Sequence, residues 1–361
     1  MTLCGYLNVV SPHQIPLARA LVEHLGPSNF RYIYIEHERR ERIAMGWSAS
    51  DDLPSWCVPI VGNVRILENA DVLYSGVREI ELFERRARAG KKTFYYSERW
   101  FKPVEICFGR WFRCLVPGWV RMFGPNYRKM ARRFVHWLNT DPNARYLAVG
   151  PWAAKDMLWL GVKHDKIVPW GYYVEPRNLA GHALPAGNPQ GVIRLLWVGR
   201  LLRWKRVDDI VRAVHAHDRL KRANDSLPKI TLDIYGRGAE ELRLRRMVAK
   251  YELDDLVKLH PSVPIAEVRR LMHKHDVYVL SSDACEGWGA VVSEALEEGM
   301  KVIGTYEAGA SATMLPKSNL YHAGDWRRLA RLIGSDIPRV DIGEWTAKGA
   351  AQRMLALCPP V

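Results

Sequence analysis

The sequence predicts an α/β protein built from two doubly wound, Rossmann-like domains facing across a cleft. Three observations point there. Short apolar runs alternate with helix-period segments in both halves, which is the pattern of a mainly parallel sheet covered on both faces. A Pro- and Gly-rich stretch, VPWGYYVEPRNLAGHALPAGNPQG, separates the halves, with a boundary near residues 175 to 190. And 361 residues are too many for one ordinary core.

In order, LCGYLNVV reads as a buried strand, SPHQIP as a loop and LARALVEHL as a helix, making the first βα unit. FRYIYIEH, DVLYSG, KKTFYYSE and RYLAVG continue the strands, with helix-like EIELFERRARAG between the second and third of these. The second series runs through VIRLLWVGR, ITLDIYG, LVKLHP, DVYVLSS and KVIGTYE. The expected domains are 1–180 and 190–340, with GEWTAKGAAQRMLALC in 341–361 as a terminal helix.

Composition fits a globular chain, with 48% hydrophobic and 25% charged residues. No apolar run reaches the ~18 residues of a membrane span, and MTLCGYLNVV lacks the basic start of a signal peptide, so the expected location is cytoplasmic. Six scattered cysteines in no zinc-like spacing predict free thiols and no structural metal. The net charge of +14 is uneven: residues 1–180 hold 26 Lys+Arg against 17 Asp+Glu, a net +9. Most of that excess lies from Arg99 to Arg133, where Arg99, Lys102, Arg110, Arg113, Arg121, Arg128, Lys129, Arg132 and Arg133 accompany only Glu105.

In doubly wound sheets, ligands bind outside the carboxyl ends of the strands. In the second half that edge offers Gly199-Arg200, Gly236-Arg237-Gly238, Ser281-Ser282-Asp283 and Glu307-Ala308-Gly309. It also carries DACEGWGAVVSEALEEGM, where Glu286 and Glu294 stand eight apart across Gly287-Trp288-Gly289. On one helix such a pair would be separated by about 12 Å of rise and could not grip one small group. With a helix start between them, they could hold the two ends of something long, an anion resting on the glycine-opened N-terminus. Glu294 would then face the site from the second turn of that helix and hold a ribose, and Glu286 a hexose. Arg200 and Lys205 in GRLLRWK would compensate a diphosphate's charge, while Arg203 and Arg206 face solvent. Glu297 and Glu298 read as solvated surface.

GRLLRWK, IYGRGAE and EGWGAVVSEALEEG in this order resemble the family-four retaining glycosyltransferases of the GT-B fold. The resemblance covers the second domain and reaches back into AVGPWAAKDMLWLGVKHDKIVPWGYYVEP. It implies a nucleoside-diphosphate sugar donor held by the second domain, an acceptor held by the first, no cofactor, and transfer with retention. Carried over, Arg200 and Lys205 match the phosphate pair, Glu294 the ribose ligand, Glu286 the sugar-side carboxylate, and Ala308–Ala310 a further backbone contact. Gly236, Arg237, Ser262, Gly287, Trp288 and Gly289 complete the expected donor site, with base contacts near His260 to Val263.

The first domain departs from that family's pattern. SPHQIP replaces a Gly-rich loop and YYSERW replaces a histidine after a later strand, leaving two candidates for the reaction centre, His13 or the group Ser97-Glu98-Arg99. The basic segment is interleaved with tryptophans, seven of the fourteen falling between Trp100 and Trp170. That mixture predicts peripheral membrane contact through 99–137, at the inner face of the membrane, with a glycan or lipid-linked acceptor in cell-surface polysaccharide or glycolipid assembly. The competing reading is a basic-surface binding protein, for membrane or nucleic acid, on the same scaffold without transferase activity. No nucleic-acid-binding signature is present, so nucleic acid is not an expected partner.

Overall fold

A computed structural model describes residues 1–36, 53–108, 112–174 and 191–358. They form two compact units, the first of residues before 175 plus 344–358, the second of 191–343. In the first, the elements run β1 (Leu3–Val9), α1 (Ile15–Leu25), β2 (Phe30–Glu36), β3 (Cys57–Pro59), α2 (Val64–Asn69), β4 (Val72–Ser75), α3 (Ile80–Arg88) and β5 (Lys92–Ser97). There follow β6 (Val104–Phe108), β7 (Phe112–Val116), a 3-10 turn at Gly118–Phe123, α4 (Pro125–Thr140), β8 (Ala144–Val149), α5 (Pro151–Leu160) and β9 (Ile167–Trp170).

Seven strands make one parallel sheet in the order β3-β2-β1-β4-β5-β8-β9, with Leu3 opposite both Phe30 and Val72. β6 and β7 pair antiparallel as a separate hairpin. Neither β3, β9 nor the hairpin is among the strands predicted above. The sheet's two outermost strands are only three and four residues long and contain Pro59 and Pro169, which an edge strand tolerates and which interrupt an apolar run.

The core beneath α3 and α4 is aromatic: Phe83, Tyr95, Trp100, Phe134 and Trp137 are all buried. Arg86 is buried among them because its guanidinium satisfies the carbonyls left open at the end of α2. It donates to the backbone oxygens of Leu67 at 2.7 Å and Ala70 at 3.0 Å, and to that of Lys92 at 2.7 Å. Burial lowers it to about 10.

The second unit runs β10 (Val192–Val198), α6 (Val207–Ala223), β11 (Lys229–Tyr235), α7 (Glu241–Lys250), β12 (Val257–His260), α8 (Ile265–Lys274) and β13 (Val277–Leu280). It continues with α9 (Val291–Glu297), β14 (Lys301–Thr305), α10 (Gly309–Met314), β15 (Leu320–Tyr321) and α11 (Trp326–Ile333). The six strands are parallel in the order β12-β11-β10-β13-β14-β15, so the order reverses beside β10. Glu298, expected at the surface, is buried, where Arg269 and His273 meet its carboxylate at 2.6 and 2.8 Å.

The chain ends in α12 (Ala347–Ala356), which packs on α1 of the first unit. Thr346 caps it, accepting the Gly349 amide at 3.1 Å. Arg353 anchors it, lying 4.7 Å over the Trp345 ring and donating to the Tyr173 hydroxyl at 3.0 Å.

Candidate functional site

The carboxyl ends of β10 and β13, adjacent at the reversal point of the second sheet, send out loops that are sewn together by their backbones. Leu201 donates to the Arg237 carbonyl at 2.8 Å, and Glu240 to that of Leu201 at 3.0 Å. A Cβ on Gly236 would lie 1.9 Å from the Gly199 oxygen, so only glycine permits this approach. On the other side, Asp283 donates to Trp204 O at 2.8 Å and the Ser281 hydroxyl to Lys205 O at 2.6 Å. The loop after β10 is thus fixed by both neighbours.

At its tip, Lys205 and Glu286 meet. The ammonium lies 2.5 Å from Glu286 Oε2, and the same oxygen accepts the Ser282 hydroxyl at 2.8 Å. The side chains are only 16% and 11% exposed, so their attraction is little screened. Lys205 also stands 4.5 Å over the Trp204 ring. Arg200, at the end of β10, is exposed and makes no ion pair among the described residues. Below them the buried Tyr278 hydroxyl donates to Val198 O at 3.2 Å. Burial above all, with the charges of Glu294 and Glu286, pushes that phenol far above its usual range. Asp283 is likewise raised by burial, although its side chain accepts the Cys285 amide.

Several expected donor contacts have other roles. Trp288 is 1% exposed, and its indole donates to Ser293 Oγ at 3.3 Å, so it is a pillar under the loop. The Gly236 amide is taken by His260 O at 3.2 Å. The amides of Gly309 and Ala310 bond Gly287 O and Trp288 O at 3.0 and 2.8 Å, joining the Ala308–Ala310 segment to the Gly287-Trp288-Gly289 turn. Gly289, with φ at +85°, makes that turn. α9 begins only at Val291 and has seven residues, which puts Glu294 in its first turn, one turn earlier than expected. Arg206 is half-buried: it adopts φ +49° and grips Asp209 at 2.6 and 3.0 Å, whereas Arg203 is exposed as expected. Arg237 and Ser262 are exposed on the loops after β11 and β12.

One polar cluster escaped the sequence reading. Asp233 on β11 contacts His260 Nε2 at 2.5 Å and His275 Nε2 at 3.0 Å, and the His260 ring stacks on Tyr235 with centroids 4.3 Å apart. Alternating burial along β11 marks Asp233 as half-buried, but its partners come from other elements and left no local signal.

In the first unit, His13 follows β1 and Glu98 follows β5, on the carboxyl edge of that sheet. The His13 amide donates to Ser11 Oγ at 3.3 Å, and Gln14 donates to the Tyr96 hydroxyl at 2.7 Å. Glu98 pairs with Lys102, Arg99 with Asp156 at 3.7 Å, and Ser97 Oγ bonds the Tyr146 hydroxyl at 2.9 Å. The group is therefore a hydrogen-bonded corner in this structure.

The basic segment resolves into core and surface. Trp100, Trp137 and Trp170 are buried, and Arg133 pairs with Glu81 and Glu84 at 2.5 Å each. Gly124-Pro125 breaks the stretch into the 3-10 turn and α4, which buries Ala131, Phe134, Trp137 and Leu138. Among the described residues of 99–137, Trp119 and Phe123 face outward, 46% and 69% exposed, with ring centroids 5.8 Å apart. Arg121, Arg128, Lys129 and Arg132 are exposed near them in sequence and form no ion pair among the described residues. Arg110 and Arg113 lie outside the described side chains. Among the described residues no helix is long and apolar enough to cross a membrane.

Residues 185–335 match the family described as glycosyl transferases group 1. The chain is 33% identical over 110 residues to the GtfA subunit of the UDP-N-acetylglucosamine–peptide N-acetylglucosaminyltransferase of Streptococcus pneumoniae, covering 30% of this chain and 20% of that one. It is 32% identical over 169 residues to the D-inositol 3-phosphate glycosyltransferase of Pseudarthrobacter chlorophenolicus, covering 45% and 39%. The matched region thus spans well under half the length of these curated relatives. Among solved structures, Anabaena Alr3699/HepE in complex with UDP superposes with a TM-score of 0.60 at 14% identity, over 99% of this chain and 94% of that one. The lipopolysaccharide outer core galactosyltransferase WaaB superposes with 0.61 at 13% identity, over 92% and 89%.

Proposed function

We propose, for a chain of GT-B fold, that it is a retaining glycosyltransferase moving a sugar from a nucleoside-diphosphate sugar to a glycan or lipid-linked acceptor. The observation that supports this reading is the contact of Glu286 with Lys205 and Ser282 at the strand edge where the sequence also puts Arg200 and Glu294, Arg200 making no ion pair among the described residues. Two cations and two carboxylates suit a diphosphate flanked by two polyhydroxylated rings. In the transfer, the acceptor oxygen bonds the anomeric carbon as its bond to the diphosphate breaks, and the acceptor's proton passes to the departing phosphate oxygen. Arg200 and Lys205 stabilise the charge that gathers there, in place of a metal. The UDP and UDP-glucose complexes of the Anabaena neighbour make uridine nucleotides the first donors to try.

The exposed Trp119 and Phe123, with Arg121, Arg128, Lys129 and Arg132 nearby, support contact with the inner face of a membrane and a role in polysaccharide or glycolipid assembly. They also favour the alternative of a surface-binding protein without transferase activity. A thermal-shift panel of UDP-, GDP-, ADP-, TDP- and CMP-sugars on the wild type and on Glu294→Ala separates the two. One nucleotide class should stabilise the wild type and lose its effect in the variant. Absence of any shift at millimolar nucleotide would overturn the donor site.

A further inference from the structure

We propose that the cavity between the start of α3 and the first turns of α4 takes the phosphodiester headgroup of an anionic phospholipid. This rests on the membrane contact proposed above and gives it a specific partner.

The cavity lies within the first unit and has a volume of about 330 Å³. That is the lower end of the range of small-molecule sites, and more than an inorganic phosphate alone would fill. Ile80 and Phe134, both buried, give it an apolar floor, and its walls carry Arg78, Lys129, Arg133 and Glu81. Arg133 is already engaged, since Glu81 and Glu84 each bond it at 2.5 Å. Arg78 and Lys129 are exposed and make no ion pair among the described residues. Arg78 is nonetheless held in place. Its guanidinium lies 4.5 Å over the ring of buried Trp100, an attraction that occupies none of its N–H donors, and it also bonds the Tyr127 side chain.

Arg78, Lys129 and Arg133 set against Glu81 and Glu84 leave one positive charge, the complement of a phosphodiester's single negative one. The two cations without a carboxylate can meet its two unesterified oxygens, and the apolar floor can meet the carbons of its ester arms. Position selects a lipid as the source. Asn126, also in the cavity wall, follows exposed Phe123 by three positions, at most about 11 Å of chain. Apolar side chains of a membrane-bound segment sit about 5–10 Å deep, at the boundary of headgroups and acyl chains. With Trp119 and Phe123 seated there, the cavity lies level with the lipid phosphates.

Calorimetric titration of the full chain with dihexanoylphosphatidylglycerol, kept below its micelle threshold, reads the cavity without the field of a membrane. The wild type should bind this lipid, and Arg78→Gln/Lys129→Gln should weaken it about tenfold. Arg128→Gln/Arg132→Gln removes the same charge from exposed positions of α4 outside the cavity lining, and should change the affinity by less than about twofold. Lys129→Gln alone, weakening it about threefold, carries the test if loss of the Arg78 contact with Trp100 unfolds the double variant. Equal losses in the two double variants, or none in either, overturn the cavity. Inorganic phosphate binding as tightly as the lipid overturns the headgroup as its occupant. Co-sedimentation with phosphatidylglycerol vesicles keeps the two readings apart: a wild type that sediments but does not bind the soluble lipid loses the cavity and keeps the membrane contact. If it does not sediment, the membrane contact is overturned, and the headgroup site with it.

Discussion

Arg200 and Gly236 sit on adjoining loops, and changing each should give opposite results. Arg200 is exposed and unpaired among the described residues, so Arg200→Ala should leave urea stability within about 0.5 kcal/mol while lowering kcat/KM about 100-fold. Gly236 has backbone 1.9 Å from where a Cβ would stand, so Gly236→Ala should cost about 2 kcal/mol or more in the same denaturation measurement. At this scale the sequence could place charged residues, because a cation after a strand reads as a strand-end cation. Burial was not legible: nothing in EGWGAVV distinguishes a Trp288 that touches ligand from one that props up the loop. The Lys205–Glu286 contact was equally hidden, being made across 81 positions by two residues read as serving different parts of a ligand.

Strands with continuous apolar runs were legible from sequence, since a parallel strand covered on both faces has no polar interruption; β13 is of this kind, and β10 is interrupted only by Arg194. The edge strands β3 and β9 were lost because prolines shorten them. Within the basic segment, Gly124-Pro125 stops the 3-10 turn and starts α4. Between elements, Asp233 ties β11 to the end of β12 and to the residue after α8. The hydrogen bond from His275, then that from His260, holds its carboxyl below the usual range against the opposing effect of burial. A depressed acid stabilises the fold above its unfolded pKa, and that contribution is lost as the pH falls through the folded value. Urea titrations of the wild type should show stability declining as pH drops below about 4. Asp233→Asn should be less stable at neutral pH and flatter on acidification; an equally steep acid decline in the variant would assign the effect elsewhere.

For the whole molecule, the charge asymmetry seen in the sequence survives as a much smaller surface than the 99–137 segment suggested, because Arg99, Lys102 and Arg133 are neutralised by carboxylates and Trp100 and Trp137 belong to the core. Binding to vesicles should therefore depend on few residues. Co-sedimentation with phosphatidylglycerol vesicles should be lost in the double variant Trp119→Ser/Phe123→Ser and weakened by salt, with phosphatidylcholine vesicles as the uncharged comparison. Retention of binding in that variant would move the contact to another surface. The terminal helix has a different consequence. Because Arg353 and its helix complete a unit whose strands all precede residue 175, that unit is discontinuous in the chain, while 191–343 is not. During synthesis the unit begun first is thus finished last: the ribosome releases all the strands of its sheet long before the helix that closes it, and the later unit can fold in the interval.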